Sequence, residues 1–259
     1  MIDATLRGLR RLSVALALAG AAGISSGCAG LAHAPSSRPP SVTVPALHTV
    51  DLAVATIEAA PIPQLISHSL HRRAEEMVVR VRNINCQGLE TGSGFAIDAH
   101  TLLTNRHVLA GASELEVSTW DGHDEQVSAA SVGRLVDLGV VTVDGTLPYH
   151  AVAEAEPVVG ESVHVVGFPL GGPLTFSYGR IVGFVSGANL GVPGQVMRLT
   201  ADVRPGNSGG PVLDSKGRIV GIVYAIELST GYGLAIPLNT LRTLIRSGGF
   251  QNVPPCGSE

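Results

Sequence analysis

The chain has 259 residues and a net charge of −4, with 17 Lys+Arg against 21 Asp+Glu. No basic cluster accompanies that balance, which argues against a nucleic-acid partner. With 32 Gly, 16 Pro and only 4% aromatic residues, the composition suits many short strands joined by turns, in a chain long enough for one large all-β domain.

The N-terminus carries Arg7, Arg10 and Arg11 ahead of an uncharged run from Leu12 to about Ser26. This is the charge-then-apolar pattern of an export signal over residues 1–28. Two other readings stay open: a twin-arginine signal at Arg10-Arg11, and a retained membrane anchor, for which the Ala- and Gly-rich run is short. Ser25-Ser26-Gly27-Cys28 resembles a bacterial lipobox with Ser25 in the usual Leu position, and predicts a lipidated Cys28. The competing cleavage site, Ala32-His33-Ala34, is followed by an unfavourable Pro35. Export means an oxidising compartment. If Cys28 carries lipid, Cys86 and Cys256 remain as an even pair, either a disulfide or two free thiols. Residues 29–75 form a linker in which Ala29 to Ala46 is a Pro/Ser/Ala-rich tether and Gln64 to Met77 suits a short helix. The part that residues 47–75 play, docked on the domain or inhibiting it, stays open.

From Val78 to Val223, strand-like runs recur between Gly, Asp, Asn and Pro. Phe95-Ala96-Ile97 and Leu102-Leu103 lead into Thr104-Asn105-Arg106-His107-Val108, where His107 is one of 9 histidines and suits an ordinary loop as well. Asp137 heads the run Leu138 to Val143, or simply ends a turn. The most informative segment is Arg204-Pro205-Gly206-Asn207-Ser208-Gly209-Gly210-Pro211. Gly206 allows the backbone to turn its own N–H and that of Ser208 toward one spot, the geometry that stabilises an oxyanion. The same string also suits a plain strand-connecting turn. Pro237 to Arg246 has the apolar spacing of a closing helix, ended by Gly248-Gly249.

Taken together these segments resemble the trypsin-like (chymotrypsin-fold) serine endopeptidases, in their bacterial Deg/HtrA-type branch. The matching blocks are Thr91 to Phe95, Leu103 to Val108, Asp137 to Val141, Gly167-Phe168-Pro169-Leu170-Gly171, Gly206 to Pro211 and Gly231 to Pro237, in family order over residues 76–246. The resemblance implies an all-β fold of two six-stranded antiparallel barrels with a short C-terminal helix. Barrel one would run over about 76–153 and barrel two over about 156–237. It implies a catalytic triad of His107, Asp137 and Ser208 in the cleft between them, and an oxyanion hole over Gly206, Asn207 and Ser208. Peptide would bind along Tyr224, Ala225 and Ile226 as an added strand. Asn207 stands where digestive relatives carry the Asp of a zymogen switch, and Asn cannot form that ion pair. Two readings stand for Asp202, six residues before Ser208: a carboxylate at the pocket base that selects Arg or Lys, or a salt-bridge residue beside Arg198 or Arg204. Residues 247–259 leave no room for a PDZ domain, which argues against peptide-gated activation and large cages.

The chemistry this set can carry is acyl transfer. A serine hydroxyl needs an imidazole to take its proton and return it to the leaving amine. The expected protein is therefore an exported or envelope-tethered serine endopeptidase acting on polypeptides. The alternative is a protease-fold binding or chaperone-like envelope protein held at rest. No Cys or His pair has zinc-site spacing, the His68 and His71 pair suits a surface, and no cofactor is implied. Oligomeric state and natural substrate are left open.

Overall fold

The alternating apolar runs fold into strands that curl round two cores. In the computed structural model residues 67–151, 154–247 and 249–257 are described. The export signal, Cys28 and the Pro/Ser/Ala-rich tether lie outside the described residues.

The first element is helix α1, His68–Met77, capped by Ser67, whose hydroxyl accepts from Leu70 N. It ends where Val78 turns extended. Ala74 and Met77 are its buried face, and His71 stacks on Phe176 at 3.9 Å between ring centroids, which docks the helix on the second half of the chain.

Seven strands follow in the first half: β1 (Val78–Asn85), β2 (Gly88–Ala96), β3 (Thr101–Thr104), β4 (Glu114–Ser118), β5 (Asp124–Glu125), β6 (Val127–Gly133) and β7 (Gly139–Val143). The four-residue helix α2, Arg106–Leu109, interrupts them after β3. The second half holds β8 (Ser162–Gly167), β9 (Thr175–Ser186), β10 (Gln195–Leu199), β11 (Pro211–Asp214), β12 (Ile219–Ile226) and β13 (Gly233–Pro237). Helix α3 (Leu238–Ser247) and a last strand β14 (Phe250–Asn252) close the chain.

The second six strands form a closed antiparallel barrel in the order β10-β13-β12-β11-β8-β9. The fold class is thus the expected one, mostly β with a short C-terminal helix. The first half departs in detail from a closed barrel of six. It is a curled sheet of eight strands, β14-β6-β7-β3-β2-β1-β4-β5. The returning tail strand β14 occupies the free edge of β6, and the two-residue β5 occupies that of β4, so the two edges do not pair with each other. Cys86, in the β1–β2 turn, is bonded to Cys256 with Cα atoms 5.9 Å apart, which pins the tail a second time.

One core cluster spans both halves, from Phe95, Leu102 and Leu109 to Val166, Phe168 and Ile236. A smaller one, around Val165, Ile181 and Leu199, fills the barrel. The packing between halves holds their facing loops in register, and the candidate site lies there.

Candidate active site

His107 comes from α2, where β3 runs out, and Asp137 comes from the loop that precedes β7. Asn105 Nδ2 donates to the backbone carbonyl of Asp137 at 3.1 Å and fixes that loop against α2. The Asp137 carboxylate spans the histidine. Oδ1 accepts the backbone N–H of His107 at 2.8 Å, and Oδ2 faces Nδ1 of its ring at 2.7 Å. An ionised carboxylate at Nδ1 requires the proton on that nitrogen, which leaves Nε2 as the acceptor. The Asp137 side chain is only 16% exposed, whereas that of His107 is 47% exposed and opens on the cleft.

Ser208 comes from the turn before β11, and each carbonyl of that turn has a donor. Pro205 O accepts from Leu170 N at 2.6 Å, Gly206 O from Ser93 Oγ at 2.7 Å, and Asn207 O from Gly210 N at 2.9 Å. In a trans peptide the N–H points opposite the C=O. The N–H groups of Gly206 and Ser208 are therefore turned the other way, and among the described residues neither is spent on a hydrogen bond. Gly206 sits at φ +97°, and a Cβ there would lie 2.4 Å from Phe168 O, so only glycine fits.

Asn207 is engaged within the turn itself. Its own N–H donates to Arg204 O at 3.0 Å, and its Oδ1 accepts from Arg204 N at 2.9 Å. Its backbone N–H and Oδ1 thus both brace the turn against Arg204.

The Ser208 hydroxyl donates to Tyr224 O at 3.4 Å, and among the described residues no hydrogen bond joins it to His107. The two side chains nevertheless line one cleft of about 560 Å³, together with Val203, Pro205, Ala225 and Ile226. Tyr224 packs edge-on to His107, with centroids 6.3 Å apart, and its phenol donates to Leu190 O. Burial, and then the charge of Asp137, push the Tyr224 hydroxyl above its ordinary pKa, so it stays a neutral donor. Beyond Ile222, β12 no longer pairs with β11, and Ala225 and Ile226 pair only with β13, which leaves their other edge facing the cleft.

Asp202 does not join this group. Ala201 and Val203 are 1% and 7% exposed, whereas the side chain between them is turned to solvent. The Asp202 carboxylate is 65% exposed and pairs with Arg204 at 2.9 Å, the second of the two readings the sequence allowed.

Three supporting residues had no role assigned from sequence. Ser93, in β2, is fully buried. It donates its N–H to Ser208 O at 2.8 Å and its hydroxyl to Gly206 O, accepts from Phe168 N at 2.9 Å, and receives Thr104 Oγ1 on its carbonyl at 2.7 Å. Leu170 is the one non-glycine residue at positive φ (56°) among the described residues, and that turn aims its N–H at Pro205 O. Phe168 supplies the facing wall of the turn. The signal available in the sequence was a serine flanked by glycines at Gly92-Ser93-Gly94. Among the described residues no group of three or more His, Cys, Asp and Glu side chains could hold a metal ion.

Comparison with known proteins points one way. The model of the trypsin-like peptidase domain matches residues 92–222, just over half of the chain. Serine protease Rv3671c of Mycobacterium tuberculosis is 34% identical over 161 residues, which is 58% of this chain and 40% of that protein. Protease Do-like 1, chloroplastic, of Arabidopsis thaliana is 34% identical over 168 residues, 60% of this chain and 38% of that one. The match thus spans about two fifths of the length of these curated relatives. Among solved structures, the active form of the Rv3671c protease from M. tuberculosis superposes with a TM-score of 0.64 at 28% identity, covering 77% of this chain and 91% of that one. Its inactive form gives 0.65 at 28% identity, over 74% and 98%. The serine endoprotease from Yersinia pestis gives 0.59 at 27%, over 73% and 68%.

Proposed function

This chain belongs to the trypsin-like peptidase domain family, with HtrA/Deg-type serine proteases as its homologues, and from that premise we propose that it is an exported serine endopeptidase that cleaves polypeptides through an acyl-enzyme on Ser208. The observation that carries this reading is the Asp137 carboxylate spanning the ring and backbone of His107, in one cleft with Ser208 and two unspent N–H groups.

The chemistry runs as follows. Rotation about Ser208 Cα–Cβ turns the hydroxyl from Tyr224 O toward His107 Nε2. As Oγ attacks the scissile carbonyl carbon, its proton passes to Nε2, and the imidazolium is stabilised by Asp137. The carbonyl oxygen takes the negative charge, and the N–H groups of Gly206 and Ser208 stabilise it; losing one such donor costs about a hundred- to a thousandfold in rate. Nε2–H then protonates the leaving amine, the C–N bond breaks, and water repeats the sequence in reverse to free the acid. Substrate residues before the scissile bond lie along the open edge of Tyr224–Ile226, and the apolar walls of Val203, Pro205, Ala225 and Ile226 favour an apolar side chain next to that bond. Export, with a lipid anchor at Cys28 and a tether to the envelope, is supported by the N-terminal sequence pattern.

The test is covalent labelling by a fluorophosphonate, scored by intact mass, beside Ser208→Ala and His107→Ala. Labelling of the wild type alone is the expected result. A folded wild type that takes no label would favour a resting binding protein instead.

A further inference from the structure

Helix α1 does not fill the surface on which it docks. Beneath it lies a narrow cavity of about 70 Å³, walled by Leu70, Ala74 and Met77 of the helix, by Leu213 of β11 and by Ala151. Protein interiors are filled to the density of organic crystals, so an apolar hollow under a helix is a place where contacts are left unmade. Its walls are fixed by the fold. Ala151 N donates to Ala96 O at 2.9 Å. Gly217, at φ +75° in the β11–β12 turn, lies so close to the helix that a Cβ there would be 3.0 Å from Leu70 Cδ2.

The mouth carries cations without counter-ions. Arg73 and Lys216 both line the cavity, and among the described residues neither forms an ion pair. Carboxylates on the same elements are engaged elsewhere. Asp214 pairs with Arg218 at 2.6 Å and accepts the backbone N–H groups of Lys216 and Arg218 on its other oxygen, and Glu75 faces His71 at 3.2 Å. Glu76 lines a separate groove, beside Arg72 and Arg73. The Arg73 guanidinium stands over the Tyr149 ring at 5.6 Å from its centroid. Tyr149 lines the cavity as well, and among the described residues its hydroxyl has no hydrogen-bond partner. A guanidinium, an ammonium and a phenol thus surround the entrance to an apolar hollow.

We propose that this cavity is a binding site for an aliphatic carboxylate, with the carboxylate held by Arg73, Lys216 and Tyr149 and the tail inserted beneath α1. Charge selects the head, because a carboxylate accepts from all three groups. Apolar burial selects the tail. Neither His107 nor Ser208 lines this cavity, so the proposal is independent of the protease reading.

Lys216 is the only lysine of the chain, which gives the test a local reporter. Reductive methylation with isotope-labelled formaldehyde keeps its charge and yields one dimethyl-lysine signal in the magnetic resonance spectrum of the full chain. The probes are acetate, butanoate, hexanoate and hexylammonium. Hexanoate should shift that signal saturably, with a Kd on the order of 1 mM. Affinity should rise by about fourfold for each methylene that enters the cavity. Arg73→Gln should weaken hexanoate by about two- to fivefold, and high ionic strength should weaken it further. Ala151→Leu, which fills the hollow, should remove the advantage of hexanoate over acetate. Should that variant fail to fold by circular dichroism, the chain-length series and Arg73→Gln, a surface change, decide the matter. A Lys216 signal that does not move with hexanoate overturns the proposal, as does one that moves equally with acetate or with hexylammonium, or one whose hexanoate response is the same in Arg73→Gln.

Discussion

Replacing Ser93 by alanine should disable the nucleophile turn while leaving its backbone unstrained. The change removes one hydroxyl from a site with no solvent exposure and creates almost no cavity. It strands Gly206 O, which Ser93 Oγ holds at 2.7 Å, and Phe168 N, which that oxygen accepts at 2.9 Å. Each buried polar group left without a partner costs about 1–3 kcal/mol, so the two together should destabilise the protein by about 2–4 kcal/mol, allowing for partial relaxation. The activity loss has a different origin. Without its anchor the Gly206–Asn207 peptide can rotate, and the Gly206 and Ser208 donors lose their common aim. Labelling by the fluorophosphonate should slow by about ten- to a hundredfold, less than the full loss of an oxyanion donor. Urea unfolding measures the first effect and the labelling rate at saturating folded protein the second. Stability within 0.5 kcal/mol of wild type, the usual span of a neutral surface change, together with labelling within twofold, would refute the assignment of Ser93 as the staple of the turn.

Three further outcomes follow from named contacts. Gly209→Ala should fail to fold stably, because φ is +85° and the added Cβ would lie 2.1 Å from Ser93 O and 2.3 Å from Thr104 Oγ1; circular dichroism should show a loss of about 3 kcal/mol or more. Asp202→Ala should leave both the labelling rate and the cleavage preference in a peptide library unchanged, since its carboxylate faces solvent beside Arg204; loss of a preference for Arg or Lys would return Asp202 to the pocket. His164 is buried with both ring nitrogens unpartnered among the described residues, and burial, opposed only in part by the charge of Asp214, lowers its pKa. The unfolded chain then binds the proton more readily than the folded one, so stability present above about 6.5 should be lost as pH falls below that value toward the lowered folded pKa. In His164→Phe the thermal midpoint should depend less on pH between 7 and 5, and an unchanged slope would exclude His164 as its source.

Much of the molecule follows from local sequence. Strand positions show in alternation such as that of β1, where Val79 and Val81 are buried and Arg80 and Arg82 between them are not, and the period of two reads directly as one face of a sheet. The nucleophile turn is legible because Gly206 and Gly209 adopt positive φ that other residues avoid. The closing helix is legible for the same kind of reason, its apolar spacing being a property of ten adjacent residues, Leu238–Ser247. What bears on the candidate site from a distance was decided by tertiary structure alone. Ser93 reaches Gly206 across 113 residues and Phe168 across 75, and no periodicity in the chain couples positions so far apart. The facing of Asp202 depended on whether Val203 would turn into the cleft, which the packing of Val203 between the barrel and the pocket settles. The open form of the first sheet depended on a tail strand that returns from Phe250–Asn252 to the edge of β6. Turn chemistry and residue period are set by nearest neighbours. Hydrogen-bond partners, burial and sheet edges are set by whichever distant segment the folded chain brings beside them.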